Sequence, residues 1–134
     1  MPDVELFNPA ELGPAVGFSH AAAAGELVVV AGQVGSDASG EVVARGDIVA
    51  QFARAIENVA TALRAAGSSP QQALKLTYFV TDVAAYRDEL GAIGVAYRKV
   101  FGRHYPAASL FEVQALFDPR AMVEIECLAV RRAS

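Results

Sequence analysis

The sequence predicts a single α+β domain spanning residues 1–134, in which a mixed sheet of five or six strands carries two helices on one face. Two observations lead to this prediction. Strand-like patterns outnumber helix-like ones, and they give the order ββ-α-β-α-ββ along the chain. No repeat, linker or low-complexity tract interrupts this order, and 134 residues is the length of one ordinary domain.

The first predicted strand is the apolar, β-branched run from Leu27 to Val34. The turn-forming sequence Gly-Ser-Asp-Ala-Ser-Gly follows it and leads into Glu-Val-Val at residues 41–43. We therefore predict a β-hairpin whose tip lies at residues 35–40.

An amphipathic helix of about five turns follows the hairpin. Asp47 stands at its predicted start, and Gly67 follows its last turn as a stop signal. Its apolar residues recur at helical spacing, at Phe52, Ile56, Val59 and Leu63. This spacing is typical of a helix that packs one face on a sheet.

A strand and a second helix come next. Polarity alternates from Leu74 to Thr81, which predicts Leu74, Leu76, Tyr78 and Val80 on one face of a strand. The second helix is predicted to begin near Asp82, and two glycines, Gly91 and Gly94, weaken it locally. Its apolar stripe consists of Tyr86, Leu90, Ile93 and Tyr97.

Two strands at residues 109–116 and 122–130 complete the predicted sheet, with a turn at residues 117–120 between them. Alternation places Glu124 and Glu126 on the same face as Leu128 and Val130, and the first hairpin is apolar on both sides. This second face of the sheet needs a cover, and the chain has no third helix to supply it. We therefore expect a homo-oligomer.

The composition disfavours several classes of function. A net charge of −4 and a pI near 5.1 disfavour nucleic-acid binding. No apolar stretch of about 18 residues, the length that spans a membrane, occurs. The N-terminus lacks the basic and apolar regions of a signal peptide, so we expect a cytoplasmic protein without a membrane partner. Cys127, the one cysteine, is interpreted as a small core residue.

Four segments together resemble the Rid family, also called YjgF or enamine/imine deaminase, over essentially the whole chain. They are AGQVG at residues 31–35, NVATALRAAG at 58–67, YPAAS at 105–109 and VEIECLAV at 123–130. Each is short, but their order and spacing together are specific. The resemblance implies a chorismate-mutase-like fold, a homotrimer around a central β-barrel, and one small-molecule cleft at each subunit interface.

In the family, these clefts hydrolyse reactive enamines or imines to 2-keto acids and ammonia, and the arginine of a Pro-Ala-Arg-Ser motif clamps the substrate carboxylate. A planar guanidinium suits this role because it makes two parallel charge-assisted hydrogen bonds to a carboxylate. Here the motif reads Pro-Ala-Ala-Ser, and Ala108 replaces the arginine. We therefore predict that the usual 2-imino acid deaminase activity is absent or altered.

Other positions that the resemblance places in the cleft also differ. The usual tyrosine corresponds to Phe18, the usual serine to Ala31 and the usual cysteine to Leu110. The asparagine expected on the second helix corresponds loosely to Gly94. Three positions of the usual lining are kept, namely Gly32, Ser109 and Glu124.

Glu124 and His20 are the candidate catalytic residues. In the family the matching glutamate holds or activates the hydrolytic water, and burial in an apolar cleft raises the pKa of a carboxyl toward the useful range. The alternative is that Glu124 and Glu126 face a wet barrel or pair with a neighbour. His20 acts as a base or hydrogen-bond partner, or is a surface-loop histidine. Two interpretations of Arg103 and Arg120 are open: they replace the positive charge of the missing arginine, or they are solvated surface residues.

Two classes of function are therefore open. The first is a divergent enzyme that hydrolyses or rearranges a small imine, enamine or carbonyl compound. The second is a non-catalytic trimer that binds a metabolite or a partner protein in the same cleft. Ribonuclease activity ranks last because the chain has no basic cluster. We expect no cofactor and no metal, because no phosphate-binding or metal-binding motif occurs.

Overall fold

The chain forms one six-stranded mixed sheet, seen in a computed structural model that describes residues 3–132. The strands are β1 (Glu5–Phe7), β2 (Ala21–Ala24), β3 (Leu27–Val34), β4 (Ala73–Val80), β5 (Ala107–Glu112) and β6 (Val123–Val130). Their order across the sheet is β1-β2-β3-β6-β4-β5. Neighbouring strands are antiparallel, except that β4 and β5 run parallel. Strand β6 therefore joins the two parts of the sheet.

Within the described residues, three α-helices accompany the sheet, where the sequence predicts two. They are α1 (Ile48–Ala65), α2 (Val83–Asp88) and α3 (Leu90–Phe101), and there are short 3-10 turns at Ala10–Leu12 and Pro70–Gln72. The sequence predicts one continuous second helix, and this prediction is wrong. It breaks at Glu89, whose backbone N–H is donated to the Tyr86 carbonyl in a tight turn. Leu90, predicted in the buried stripe, begins α3 and is 54% exposed.

Helix α1 begins and ends as the sequence predicts. The Asp47 carboxylate accepts a hydrogen bond from the Ala50 N–H at 3.1 Å, which caps the N-terminus. Gly67, just past the C-terminus, has φ +82°, a conformation that favours glycine. The predicted apolar stripe is buried, with Phe52, Ile56, Val59 and Leu63 each at most 1% exposed.

The prediction that β3 forms a hairpin with residues 41–43 is wrong. Strand β3 pairs with β2, a run of four alanines, and residues 41–43 contribute only an isolated bridge between Ser36 and Val42. The Asp37 carboxylate accepts hydrogen bonds from the N–H groups of Ser39 and Glu41, which closes a tight local turn. The chain then leads into α1 instead of extending a strand.

Strands β4 and β5 also differ from the predicted boundaries. Leu74 is 51% exposed because the register of β4 shifts between Ala73 and Lys75, which turns Leu74 away from the core. Strand β5 ends at Glu112 because its partner β4 ends at Val80, so the residues that follow have no strand to pair with.

The sheet has two faces of different character. The face that we call the helix face packs against α1 and α3 and buries Leu76, Tyr78 and Ile125. Cys127 lies on it, 3% exposed, and burial raises the pKa of its thiol to about 12, which confirms its assignment to the core. The other face, which we call the open face, exposes a set of large apolar residues. They are Leu27, Val29, Leu128 and Val130.

Gly35 lies where the end of β3 meets α1. A Cβ at this position would lie 2.6 Å from the Gln51 carbonyl oxygen and 2.9 Å from its Cα. Because backbone atoms cannot rotate away, Gly35→Ala is expected to lower the free energy of unfolding by about 1–3 kcal/mol in chemical denaturation. Gly91→Ala is the control, since no neighbouring atom of residues 3–132 lies within 4 Å of the added Cβ. Equal stability of the two variants would contradict this close approach.

Candidate functional site

The residues predicted to form one site lie on two faces of the sheet. Glu124 is opposite Phe79 of β4, so its side chain is on the open face. Ala108 is opposite Leu76, which is buried, so its side chain is on the helix face. One small molecule therefore cannot touch both residues within a single chain.

Gly32 and Glu124 form the contact that defines the open-face half of the site. The register between β3 and β6 shifts between Val30 and Gln33, so Gly32 lies in a bulge. A Cβ on Gly32 would lie 2.6 Å from the Cδ of Glu124 and 2.9 Å from its Oε2. The carboxylate of Glu124 therefore rests on the glycine backbone, and any larger residue would displace it.

The surroundings of Glu124 raise the pKa of its carboxyl above the usual value for a glutamate. The side chain is half-buried, and burial is the main cause that raises the pKa of its carboxyl; the charge of Glu126 on the same face raises it further. Phe79, opposite Glu124, stacks on Phe111 of β5 at 6.2 Å between ring centroids. Within residues 3–132, no Lys, Arg or His lies within ion-pair distance of Glu124. This carboxyl is thus a candidate acid–base group.

His20 is buried and fully engaged within the chain. The Nε2 of His20 lies 3.1 Å from the Gly13 carbonyl oxygen, and because a carbonyl only accepts, Nε2 is the donor. The Nδ1 of His20 accepts a hydrogen bond from the Gln33 side-chain amide at 3.2 Å. The ring of Phe18 stands edge-on to the imidazole with 5.3 Å between ring centroids, and Phe18 is 53% exposed. Neither ring nitrogen of His20 is left for a substrate, so this geometry favours a role in positioning the loop and β3.

The remaining predicted site residues are divided between the two faces. Ser109 is opposite Thr77, which is opposite Glu126, so these three lie in one row on the open face. Leu110 packs against the core from the helix face. Ala31 lies in the β3 bulge, where its N–H is donated to the His20 carbonyl at 2.9 Å.

Ala108 lines a cavity of about 230 Å³ on the helix face, which the sequence analysis missed. Four tyrosines supply most of its aromatic wall, namely Tyr78, Tyr86, Tyr97 and Tyr105. Gly94 and Arg98 of α3 also line it. The stripe of Tyr86, Ile93 and Tyr97 was visible in the sequence, but helical spacing alone indicates a core and not a cavity wall.

The two arginines proposed as replacements for the missing one do not line this cavity. Arg120 is held by the Asp118 carboxylate at 2.7 Å and by Glu41. Its hydrogen bonds to Asp118 lower the pKa of that carboxyl to about 2. Arg103 is exposed in the segment between α3 and β5.

The described part of the chain lacks both a metal-binding cluster and a membrane-spanning helix. Between residues 3 and 132, no cluster of three or more His, Cys, Asp or Glu side chains is arranged to hold a metal ion. No helix in that range combines the length and the apolar character needed to cross a membrane.

Comparison with known proteins places this fold among its relatives. The profile of the family described as Endoribonuclease L-PSP matches residues 9–131. The chain is 33% identical over 117 residues to the RutC family protein UK114 of Drosophila melanogaster, covering 87% of this chain and 81% of that protein. It is 32% identical over 124 residues to the 2-iminobutanoate/2-iminopropanoate deaminase of Mus musculus, covering 92% and 85%. The structure of E. coli TdcF with bound serine matches with a TM-score of 0.81 at 28% identity, covering 96% and 99%.

The mixed six-stranded sheet with three helices and these matches define a protein of the YjgF/L-PSP fold. The chain belongs to the Rid family, as its four short segments predict.

Proposed function

We propose that this protein is a divergent enzyme of the Rid family that hydrolyses a small imine or enamine in clefts between subunits, with Glu124 as its acid–base group. The observation that supports this most is the half-buried carboxyl of Glu124, resting on Gly32 with a raised pKa. The activity named for the mouse relative, deamination of 2-iminobutanoate and 2-iminopropanoate, belongs to this class of reaction.

The chemistry requires proton transfers at oxygen and at nitrogen. The Glu124 carboxylate removes a proton from a water molecule while the water oxygen forms a bond to the carbon of a protonated imine. The π electrons of the C=N bond move to nitrogen, which gives a neutral carbinolamine, and Glu124 then passes its proton to this nitrogen. As the C–N bond breaks, Glu124 removes the hydroxyl proton, so that a carbonyl compound and ammonia remain, and the ammonia takes up the proton held by Glu124.

The cleft is proposed to form between two copies of the chain. Because Ala108 and Glu124 lie on opposite faces of the sheet, only a second subunit can bring an Ala108 cavity next to a Glu124 carboxyl. The open face carries exposed apolar side chains, including Val29 and Leu128, that another subunit would cover. We propose a homotrimer, in which three equivalent contacts close the ring and give three clefts.

The first experiment is a coupled assay in which 2-iminopropanoate is generated in situ and ammonia release is followed. The protein is compared with a blank and with the mouse deaminase as a positive control, and its mass is measured by light scattering. Acceleration over the blank by a trimer supports the proposal. No acceleration with this imine or with an uncharged imine, while small molecules still bind, favours a non-catalytic binding protein. A monomer at micromolar concentration contradicts the shared cleft.

Mixing two inactive variants tests whether the cleft is shared. Glu124→Gln removes the acid–base group, and Ala108→Phe fills the cavity on the other face of the sheet. In trimers that have exchanged subunits, about a quarter of the clefts would combine the two intact halves, so the mixture is expected to regain about a quarter of the wild-type rate. A mixture as inactive as its components after confirmed exchange would place both residues in one subunit's site.

A further inference from the structure

We infer that Arg98 is the anion-binding residue of this protein, and that it selects ligands that carry a carboxylate next to a small apolar group. The inference rests on the proposed function, because it names the class of substrate that the proposed cleft takes. It starts from the cavity that Ala108 lines on the helix face.

Among the described residues that line this cavity, Arg98 is the one that carries a charge. The rest of the lining is aromatic, aliphatic or glycine, and no Asp or Glu between residues 3 and 132 belongs to it. Within residues 3–132, the Arg98 guanidinium forms no ion pair, in contrast to Arg120 and Arg131. Its five N–H donors are therefore available to a ligand, and a guanidinium beside an apolar wall attracts an anion more strongly than one in open water.

Gly94 gives the Arg98 side chain the space to lie over the cavity. The two residues are four apart on α3, so their side chains share one face of the helix. A Cβ on Gly94 would lie only 3.1 Å from the Nη1 of Arg98 and 3.9 Å from its Cζ. The guanidinium thus folds back across the glycine, toward the same cavity that the small side chain of Ala108 leaves open.

The tyrosines of the cavity supply a flat wall and further donors. Tyr97 and Tyr105 stack with an interplanar angle of 11° and centroids 5.5 Å apart, and the Tyr97 hydroxyl is fixed by donation to the His104 carbonyl at 2.6 Å. Tyr78 and Tyr86 also line the cavity, and burial raises the pKa of both hydroxyls, so they stay protonated. Both can donate to a second polar group of a ligand.

The size and charge of the cavity favour a carboxylate over a phosphate. About 230 Å³ accommodates a molecule of only a few carbon atoms. A single guanidinium balances the single charge of a carboxylate, whose two oxygens match its fork. A phosphate dianion would need a second cation or a group of backbone N–H donors, and no other charged residue in the described part of the chain lines the cavity.

The test measures binding of stable probes by calorimetry to the whole protein. Butanoate is compared with the uncharged butanamide and with inorganic phosphate. Wild type is expected to prefer butanoate. Arg98→Gln is expected to bind butanoate about 10- to 100-fold more weakly with little effect on butanamide, because it loses a charge-assisted pair. Arg98→Lys is expected to fall between the two, since it keeps the charge but loses the fork.

Two controls separate this inference from the proposed reaction. Arg103→Gln removes an exposed arginine that does not line the cavity, and it is expected to bind butanoate as wild type does. Glu124→Gln is expected to keep butanoate binding while it loses turnover. If the wild type binds butanoate through Arg98 but accelerates no imine hydrolysis, the proposed function fails and the anion site stands.

Three results would overturn the inference. They are equal binding of butanoate and butanamide, tighter binding of phosphate than of butanoate, and undiminished butanoate binding by folded Arg98→Gln. Any of them overturns it even where Glu124-dependent hydrolysis is observed. Melting curves of each variant show whether it is folded, and Arg98→Lys provides an independent variant that keeps the charge.

Discussion

Replacing Glu124 by glutamine is expected to slow imine hydrolysis by about 10²- to 10⁴-fold, the usual contribution of a positioned acid–base group. Glutamine keeps the shape of the side chain over Gly32, so the loss reports on the proton and not on packing. The measurement is the initial rate of ammonia release in the coupled assay. Glu126→Gln is the matched control, because Glu126 lies on the same face two residues away and is more exposed.

The pH dependence gives a second, independent readout of Glu124. Its folded-state pKa is raised above the unfolded value, first by burial and then by Glu126. The folded state therefore holds the extra proton between these two values, and stability falls as the pH rises through that window. Glu124→Gln is expected to abolish this loss of stability with rising pH. At pH values above the folded-state pKa of Glu124, the variant is therefore expected to have a higher melting temperature than wild type. Glu126→Gln is expected to shift the window to lower pH.

Other results would contradict the role of Glu124. A Glu124→Gln variant with the rate of wild type would exclude it as the acid–base group, whatever its pKa. Equal loss in Glu124→Gln and Glu126→Gln would indicate a general effect of charge on the open face. Melting temperatures of wild type and Glu124→Gln that run parallel across the acidic range would contradict the raised pKa.

Gln51→Ala is expected to lower the free energy of unfolding by about 3–5 kcal/mol, because it combines a cavity with several orphaned backbone groups. The Gln51 side chain is fully buried on α1. Its amide donates to the carbonyls of Ala44 at 3.3 Å and Arg120 at 3.1 Å, and its oxygen accepts from the Met122 N–H at 2.8 Å. It therefore ties α1 to the turn that leads into β6.

This prediction also reaches the site, because Met122 is only two residues before Glu124. Chemical denaturation gives the loss of stability, and Gln114→Ala, at an exposed position, is the matched control. If the two glutamine variants were equally stable, the hydrogen bonds of Gln51 would be replaceable by water. In the coupled assay, Gln51→Ala is expected to lose rate even at temperatures where it stays folded.

Elements with a strong local signal could be predicted from the sequence. Asp47, the apolar spacing and Gly67 together predict where α1 begins and ends. The alternation of polarity along β6 predicts the correct face for Glu124. Strand β2 could not be predicted, because four alanines have little preference for strands and form one only by pairing with β3. The break at Glu89 was also missed, since the apolar stripe continues across it.

The site was only partly predictable, because sequence positions do not reveal which surfaces meet. The family resemblance located Gly32 and Glu124. Their contact, however, depends on a bulge in β3 that no local sequence pattern predicts. It also named Ala108, but not the tyrosine cavity beside it. The spacing of Gly94 and Arg98 predicts one helix face, yet only the folded chain shows that this face lines a cavity together with residues of β4 and β5.

The order of strands in the sheet also constrains how the protein is made. Strand β6 follows the other five along the chain, yet it lies between β3 and β4. Until a ribosome has released this segment, the two groups of strands have no partner that joins them, and both keep unpaired edges. The nascent chain therefore completes its native sheet late, and until then its unpaired strand edges are open to pairing with other chains.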